Sequence, residues 1–270
     1  CGKGISASDR VIFADDQGVL YKRISGSAPR ANKGEPQAGG SVLGAGEGSA
    51  GCDEAAQDRN APGCDDSLVL LDASALQTAE YEALPGTREV AARAFYRNQV
   101  VQSVGFPDGL RSIGRFAFAE CPRLSSVRLP DSLRSIGERA FCGSPLRAFS
   151  VPASLDYLGE RALGIVESGR AEERLALRAC SVSSENEHFF MHDGMLCEYV
   201  EAGVRAVLYV GPETDVSLPT NTCEVAPFAF AGARDIKRLY IPNSVLHIGI
   251  AAFAVAKPCD VVEFQRARRW

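Results

Sequence analysis

No stretch of eighteen or more apolar residues occurs in the 270-residue chain, so nothing in it reads as a membrane-spanning helix. Basic charge is not in excess either. Against 29 Lys and Arg stand 34 Asp and Glu, giving a formal charge of −5 and a pI near 5.4. A nucleic-acid binder usually carries a basic stripe, so nucleic acid is excluded as the expected partner. The N-terminus lacks the basic-then-apolar pattern of a secretory signal, so an exported form would have lost its leader or be part of something longer. Nine cysteines are present but no C-x-x-C pair, which removes zinc-ribbon and thioredoxin-like readings. The glycines of "GAGEGSAG" (44–51) are not followed by Lys-Ser/Thr in a strand-to-helix setting and read as a linker. His188, His192 and Asp193 cluster in "HFFMHDG", but a strand running into an Asp-Gly turn does not aim both rings at one ligand. No cysteine stands out with a base and an orienting third group. The expectation is therefore no catalytic residue, no metal and no cofactor.

The composition itself, 46% hydrophobic and 23% charged, is that of an ordinary globular protein, and its prolines carry a period. Pro85, Pro107, Pro130 and Pro152 are spaced at 22 or 23 residues, as are Pro219 and Pro242. Ten or eleven residues after most of them comes a large apolar residue: Phe95, Phe118, Phe141, Leu163, Phe230 and Phe253. Between lie an apolar residue at the third position (Leu110, Leu133, Leu155, Val245) and another at the sixth (Ile113, Ile136, Leu158, Val225, Ile248). Gly114, Gly137, Gly159 and Gly249 follow that sixth position. Before each proline the pattern is apolar-x-x-apolar-x-apolar, as in Leu124, Val127 and Leu129 or Ile236, Leu239 and Ile241. Its last two apolar residues are two apart and share one face of a strand. Cys121, Cys180, Cys223 and Cys259 fall where this pattern buries a residue and read as small core hydrophobes.

One such unit cannot bury its apolar face alone, but stacked units share a single unbroken core. Proline ends each strand because it cannot donate to a ladder. The fold class that follows is an α/β-type solenoid, mostly β, of the leucine-rich kind.

"IPNSVLHIGIAAFA" and "LPDSLRSIGERAFCGSPLRAFSVP" closely resemble the BspA-type (Treponema-type) leucine-rich repeats of bacterial surface proteins. "HFFMHDGMLCEYVEAGVRAVLYVGPETDVSLP" (188–219) resembles the β-hairpin that family inserts between repeats, and "VIFADDQGVLYKRI" with "DDSLVLLDASALQTAEYEALP" resembles another, split by an insertion. The resemblance covers most of residues 11–265. It implies a right-handed leucine-rich repeat superhelix with inserted β-hairpins, an extracellular or cell-surface bacterial location and a binding role without catalysis. The chain departs from the pattern at 24–66 and at 164–176.

Along the chain this divides into an N-terminal hairpin unit (1–78), a first repeat block (79–183), an inserted hairpin (184–212), and a second block with a basic tail (213–270). The Gly/Ala/Ser-rich insertion at about 24–66 reads as a flexible hairpin tip, in which Cys52 and Cys64 could bridge each other. "ESGRAEERLALR", within the stretched unit, has helical character. Cys1 before Gly2 suits a lipid-modified first residue, and equally a boundary of the sequence. For a partner, a protein or glycan is expected on the concave strand face. The candidate contacts are Ser126, Arg128, Arg147, Arg178, Lys237, Arg238 and Tyr240, with Arg238 and Tyr240 foremost because Tyr and Arg dominate interfaces. Exposed strand residues must be polar for solubility whether or not they bind anything. A passive spacer, or a repeat module whose catalytic domain lies outside this chain, are the rival readings.

Overall fold

The computed structural model describes residues 12–25, 66–163, 176–231, 233, 236–253 and 261–265. The expectations for Cys1, Cys52, Cys64 and Cys259, for the interior of the insertion, for a helix over 164–175 and for the basic tail lie outside those residues.

Repetition in the sequence becomes repetition in the strands. β1 (Ile12–Ala14), β2 (Leu20–Ser25) and β3 (Asp66–Asp72) pair antiparallel in that order. After them come β4 (Glu80–Glu82), β5 (Thr87–Val90), β6 (Ser103–Gly105), β7 (Ser112–Ile113), β8 (Ser126–Arg128) and β9 (Ser135–Ile136). β10 (Ala148–Val151), β11 (Tyr157–Leu158) and β12 (Ala179–Val182) close this part. A second antiparallel trio follows: β13 (Phe189–His192), β14 (Met195–Val200) and β15 (Gly203–Tyr209). The last strands are β16 (Asp215–Ser217), β17 (Thr222–Val225), β18 (Arg238–Pro242), β19 (His247–Ile248) and β20 (Val261–Gln265).

The coils stack through two kinds of rung, one before the proline and one after it. The strands before the prolines stack in parallel as β4-β6-β8, β10-β12 and β16-β18-β20. Those carrying the sixth-position apolar residue stack as β5-β7-β9-β11 onto the first trio and as β17-β19 onto the second. Equivalent residues face each other across the rungs, Val104 opposite Val127 and Ile113 opposite Ile136, because the coil length is nearly constant. This is a mostly-β solenoid.

The α/β part of the expected class is wrong: no helix occurs among the described residues. The segment after each sixth-position apolar residue is a tight turn, and the third residue after that position is left-handed. Arg93, Phe116, Arg139, Arg161, Phe228 and Ala251 all have φ between 54° and 63°. A helix cannot run through such a residue. The turn opens the backbone to the neighbouring coil instead. The Phe116 and Phe118 amides donate to the carbonyls of Glu138 and Ala140, and those of Arg139 and Phe141 to Glu160 and Ala162. The glycine itself is required by close approach: a Cβ on Gly114 would lie 2.5 Å from the Ala92 nitrogen, and one on Gly137 2.5 Å from that of Arg115.

The Ala-Phe pairs point inward. Phe118 stacks between Phe95 and Phe141 at ring distances of 4.5 and 5.2 Å, and Phe230 between Tyr209 and Phe253 at 5.8 and 5.1 Å. Among the described residues the core is nevertheless divided into two clusters, not the single unbroken core the repeat pattern implies. The second trio is the divider. Phe189, Leu196 and Leu208 belong to the first cluster, whereas Met195, Cys197, Val204 and Ala206 belong to the second. Alternate residues of a strand face opposite ways, so a strand apolar at both parities separates the two. At the far end Ile248 and Phe253 are 44% and 40% exposed, against 2% and 0% for their equivalents Ile113 and Phe118, because no further rung covers them among the described residues.

Candidate functional site

The outward positions of the strands before the prolines form regular rows. Ser103 lies opposite Ser126, and Ser150 opposite Ser181, the two hydroxyls of the latter pair being 3.3 Å apart. Arg147 and Arg178 occupy adjacent coils, the Arg178 amide donating to the Arg147 carbonyl at 2.8 Å. In the last sheet Arg238 sits between Asp215 and Val261, and Tyr240 between Ser217 and Glu263. Ser126, Arg128, Arg147, Arg178, Lys237 and Arg238 are exposed and Tyr240 is half-buried. The structure thus distributes the candidate residues over three separate sheets: Ser126 and Arg128 on β8, Arg147 and Arg178 just before β10 and β12, and the remaining three at β18.

Arg128 differs from the others. Its guanidinium reaches across β6 to the Glu82 carboxylate two rungs away, and the pair closes directly over Gly105. The missing side chain at Gly105 makes room for it. Both partners are about 70% exposed, so the pair contributes little stability, but it neutralises the positive charge of β8.

A second cluster escapes the strand-based reading. On the turn flank, the guanidiniums of Arg93, Arg115 and Arg139 lie 5.8, 5.3 and 5.8 Å from the Phe116 ring centroid. Glu138 pairs with Arg115 at 3.4 Å and with Arg139 at 3.6 Å. Further along, Arg161 stands 4.1 Å over the Phe228 ring. Residues 93, 116, 139 and 161 are one repeat apart, so the spacing that located the phenylalanine stack also located this row. What it did not show was that left-handed backbone turns these side chains outward.

The cysteines behave as apolar filler. Cys121, Cys142 and Cys197 are buried, whereas Cys180 and Cys223 are only half-buried. Burial pushes the Cys121 thiol up to about 11 and that of Cys197 up to about 12, the reverse of what a nucleophile needs. At the N-terminal end the Tyr21 and Tyr81 hydroxyls are 2.5 Å apart, and the Tyr81 hydroxyl donates to the Asp15 carboxylate at 2.6 Å. This network ties β2 to β4. Burial raises both phenols above their ordinary range. His192 lies 3.8 Å from Asp193, and no group of three or more His, Cys, Asp or Glu converges on a point among the described residues. Nor is any described helix long and apolar enough to cross a membrane.

A family model described as "BspA type Leucine rich repeat region" matches the chain in six copies over residues 86–168 and 212–267, just over half of its length. Among solved structures, the pneumococcal vaccine antigen PcpA is 13% identical with a TM-score of 0.56, over 95% of this chain and 70% of that one. A leucine-rich repeat protein from Eubacterium ventriosum ATCC 27560 is 20% identical with a TM-score of 0.50, over 65% of this chain and 50% of that one. The chain therefore spans about half the length of the Eubacterium protein. At these identities the likeness is one of fold. No curated protein matches the chain.

Proposed function

Because the chain belongs to the BspA-type leucine-rich repeat family, we propose that it is a non-enzymatic protein of the bacterial cell surface that holds a protein or glycan partner on its strand face. The family's right-handed superhelix with inserted hairpins, which makes this face concave, is part of the reading. So is division of the chain into two repeat blocks about a hairpin. The observation that carries the proposal is the last parallel sheet, where Arg238 and Tyr240 project from one strand flanked by in-register rungs. Rungs paired on both sides hold these two side chains on one face at a fixed spacing of about 6.7 Å, which lowers the ordering cost of binding. Self-neutralisation of Arg128 by Glu82 shifts the expected contact away from β8 and toward β18.

The test is a binding screen of the chain against matrix proteins and a glycan array, repeated with Arg238→Glu combined with Tyr240→Ala. If these two are the anchors, affinity for the captured partner falls by about thirtyfold or more while circular dichroism stays unchanged. Equal affinity in the folded double variant would leave the protein as a spacer, or place its contacts elsewhere.

A further inference from the structure

Between the coil ending in Leu163 and the sheet of the second trio the chain leaves a cleft of about 250 Å³. Leu158 and Leu163 wall one side, and Val207, Leu208, Ala226 and Phe228 the other. Sites that enclose a cofactor or drug-sized ligand run to roughly 300–1,000 Å³. This one is smaller and suits the anchoring of individual side chains.

One wall of the cleft is a backbone edge that is unpaired among the described residues. β11 is the last strand of its sheet. One rung earlier, the Arg134 carbonyl accepts from the Asp156 and Tyr157 amides, the Ile136 carbonyl accepts from Gly159, and the Phe141 amide donates to Ala162. The equivalent groups on the edge coil are the carbonyls of Asp156 and Leu158 and the amide of Leu163. None of the three has a hydrogen-bond partner among the described residues. Leu158 and Leu163 are themselves buried, at 3% and 6% exposure, and backbone groups of buried residues are nearly always paired. Charge adds a second requirement. Arg205, at the cleft, is already paired with Glu198, whereas the cleft residues Glu160 and Glu224 form no ion pair among the described residues.

We propose that this cleft binds an extended peptide segment of a partner protein, which adds as a parallel strand to the free edge of β11 and seats an apolar side chain beside a basic neighbour. The amides of the incoming strand take the Asp156 and Leu158 carbonyls, its apolar anchor fills the space between Leu163 and Phe228, and its Lys or Arg meets Glu160 and Glu224. Main-chain bonds of this kind give affinity, and the pocket gives selectivity. Arg238 and Tyr240 take no part, so this site stands or falls separately from the strand face.

The test pans a random heptapeptide phage library on the full chain and titrates the synthetic selected peptides calorimetrically. They are expected to share an apolar residue with a Lys or Arg close by. Methylating single backbone nitrogens of the best peptide should weaken binding about tenfold at alternate residues and little at those between, since only every second amide faces the edge. Glu160→Gln with Glu224→Gln should lower its affinity about threefold or more and keep the alternation, as expected when exposed charge pairs are lost. Hydrogen exchange should find the Leu163 amide unprotected in the free chain and protected in the complex. Three results overturn the proposal: no heptapeptide binds, N-methylation shows no alternation, or the Leu163 amide is already protected without peptide, which would mean that the chain fills its own edge.

Discussion

Gly105 and Gly137 are indistinguishable as letters, yet a methyl group would meet different things at each. At Gly105 it meets the far ends of the Glu82 and Arg128 side chains, which can swing away. At Gly137 it meets backbone, the Arg115 nitrogen at 2.5 Å and the Gly114 carbonyl carbon at 2.8 Å. Gly105→Ala is therefore expected to open an exposed ion pair and shift stability by less than about 1 kcal/mol. Gly137→Ala forces two coils apart and should cost about 2 kcal/mol or more. Urea denaturation of both variants checks the contrast, and equal losses would refute it. The buried thiols argue at the same scale. An unfolded cysteine ionises near 9, whereas Cys121 keeps its proton to about 11 and Cys197 to about 12. Below pH 9 both states hold the proton, and stability is indifferent to it. Between 9 and 11 only the native state does, so stability falls as pH rises. The urea midpoint should hold from pH 7 to 8.5 and drop by pH 10, and the drop should be shallower in a Cys121→Ala, Cys197→Ala variant. The same slope in the variant would assign the loss to other groups.

Elements here are too short to stand alone, and two- or three-residue strands gain their stability from the rungs on either side. The aromatic stack is one contact through which successive rungs are coupled. Phe118 is fully buried between Phe95 and Phe141, so Phe118→Ala should cost about 3–5 kcal/mol. Among the described residues Phe253 stacks on Phe230 alone and is 40% exposed, so Phe253→Ala should cost clearly less, about 1–2 kcal/mol. Denaturation midpoints for the two variants decide this. An equal cost would mean that position in the stack does not matter and that the coils are not coupled through their rings.

At the scale of the whole molecule, the repeat spacing was enough to state that coils of 22 or 23 residues stack, and at which positions of each coil Phe118, Phe141, Gly114 and Gly137 recur. Those properties are periodic in the sequence because each coil meets an equivalent neighbour. Three others arise from contacts between residues that no spacing relates. Arg128 carries no free charge because Glu82, 46 residues away, reaches it over Gly105. The core is split because β14 is apolar on both faces, and only the packing of a coil against each face shows that these are two cores. The turn after each sixth-position apolar residue is left-handed at Arg93, Phe116 and Arg139, which no residue preference announces, since the conformation is held by amides bonding to the next coil. Composition and period thus determined the solenoid, its rungs and its inward residues, each being a property of one coil repeated. Tertiary structure alone decided which charges stay unpaired, where the core divides and where a strand edge is left open, because each is a relation between coils that differ.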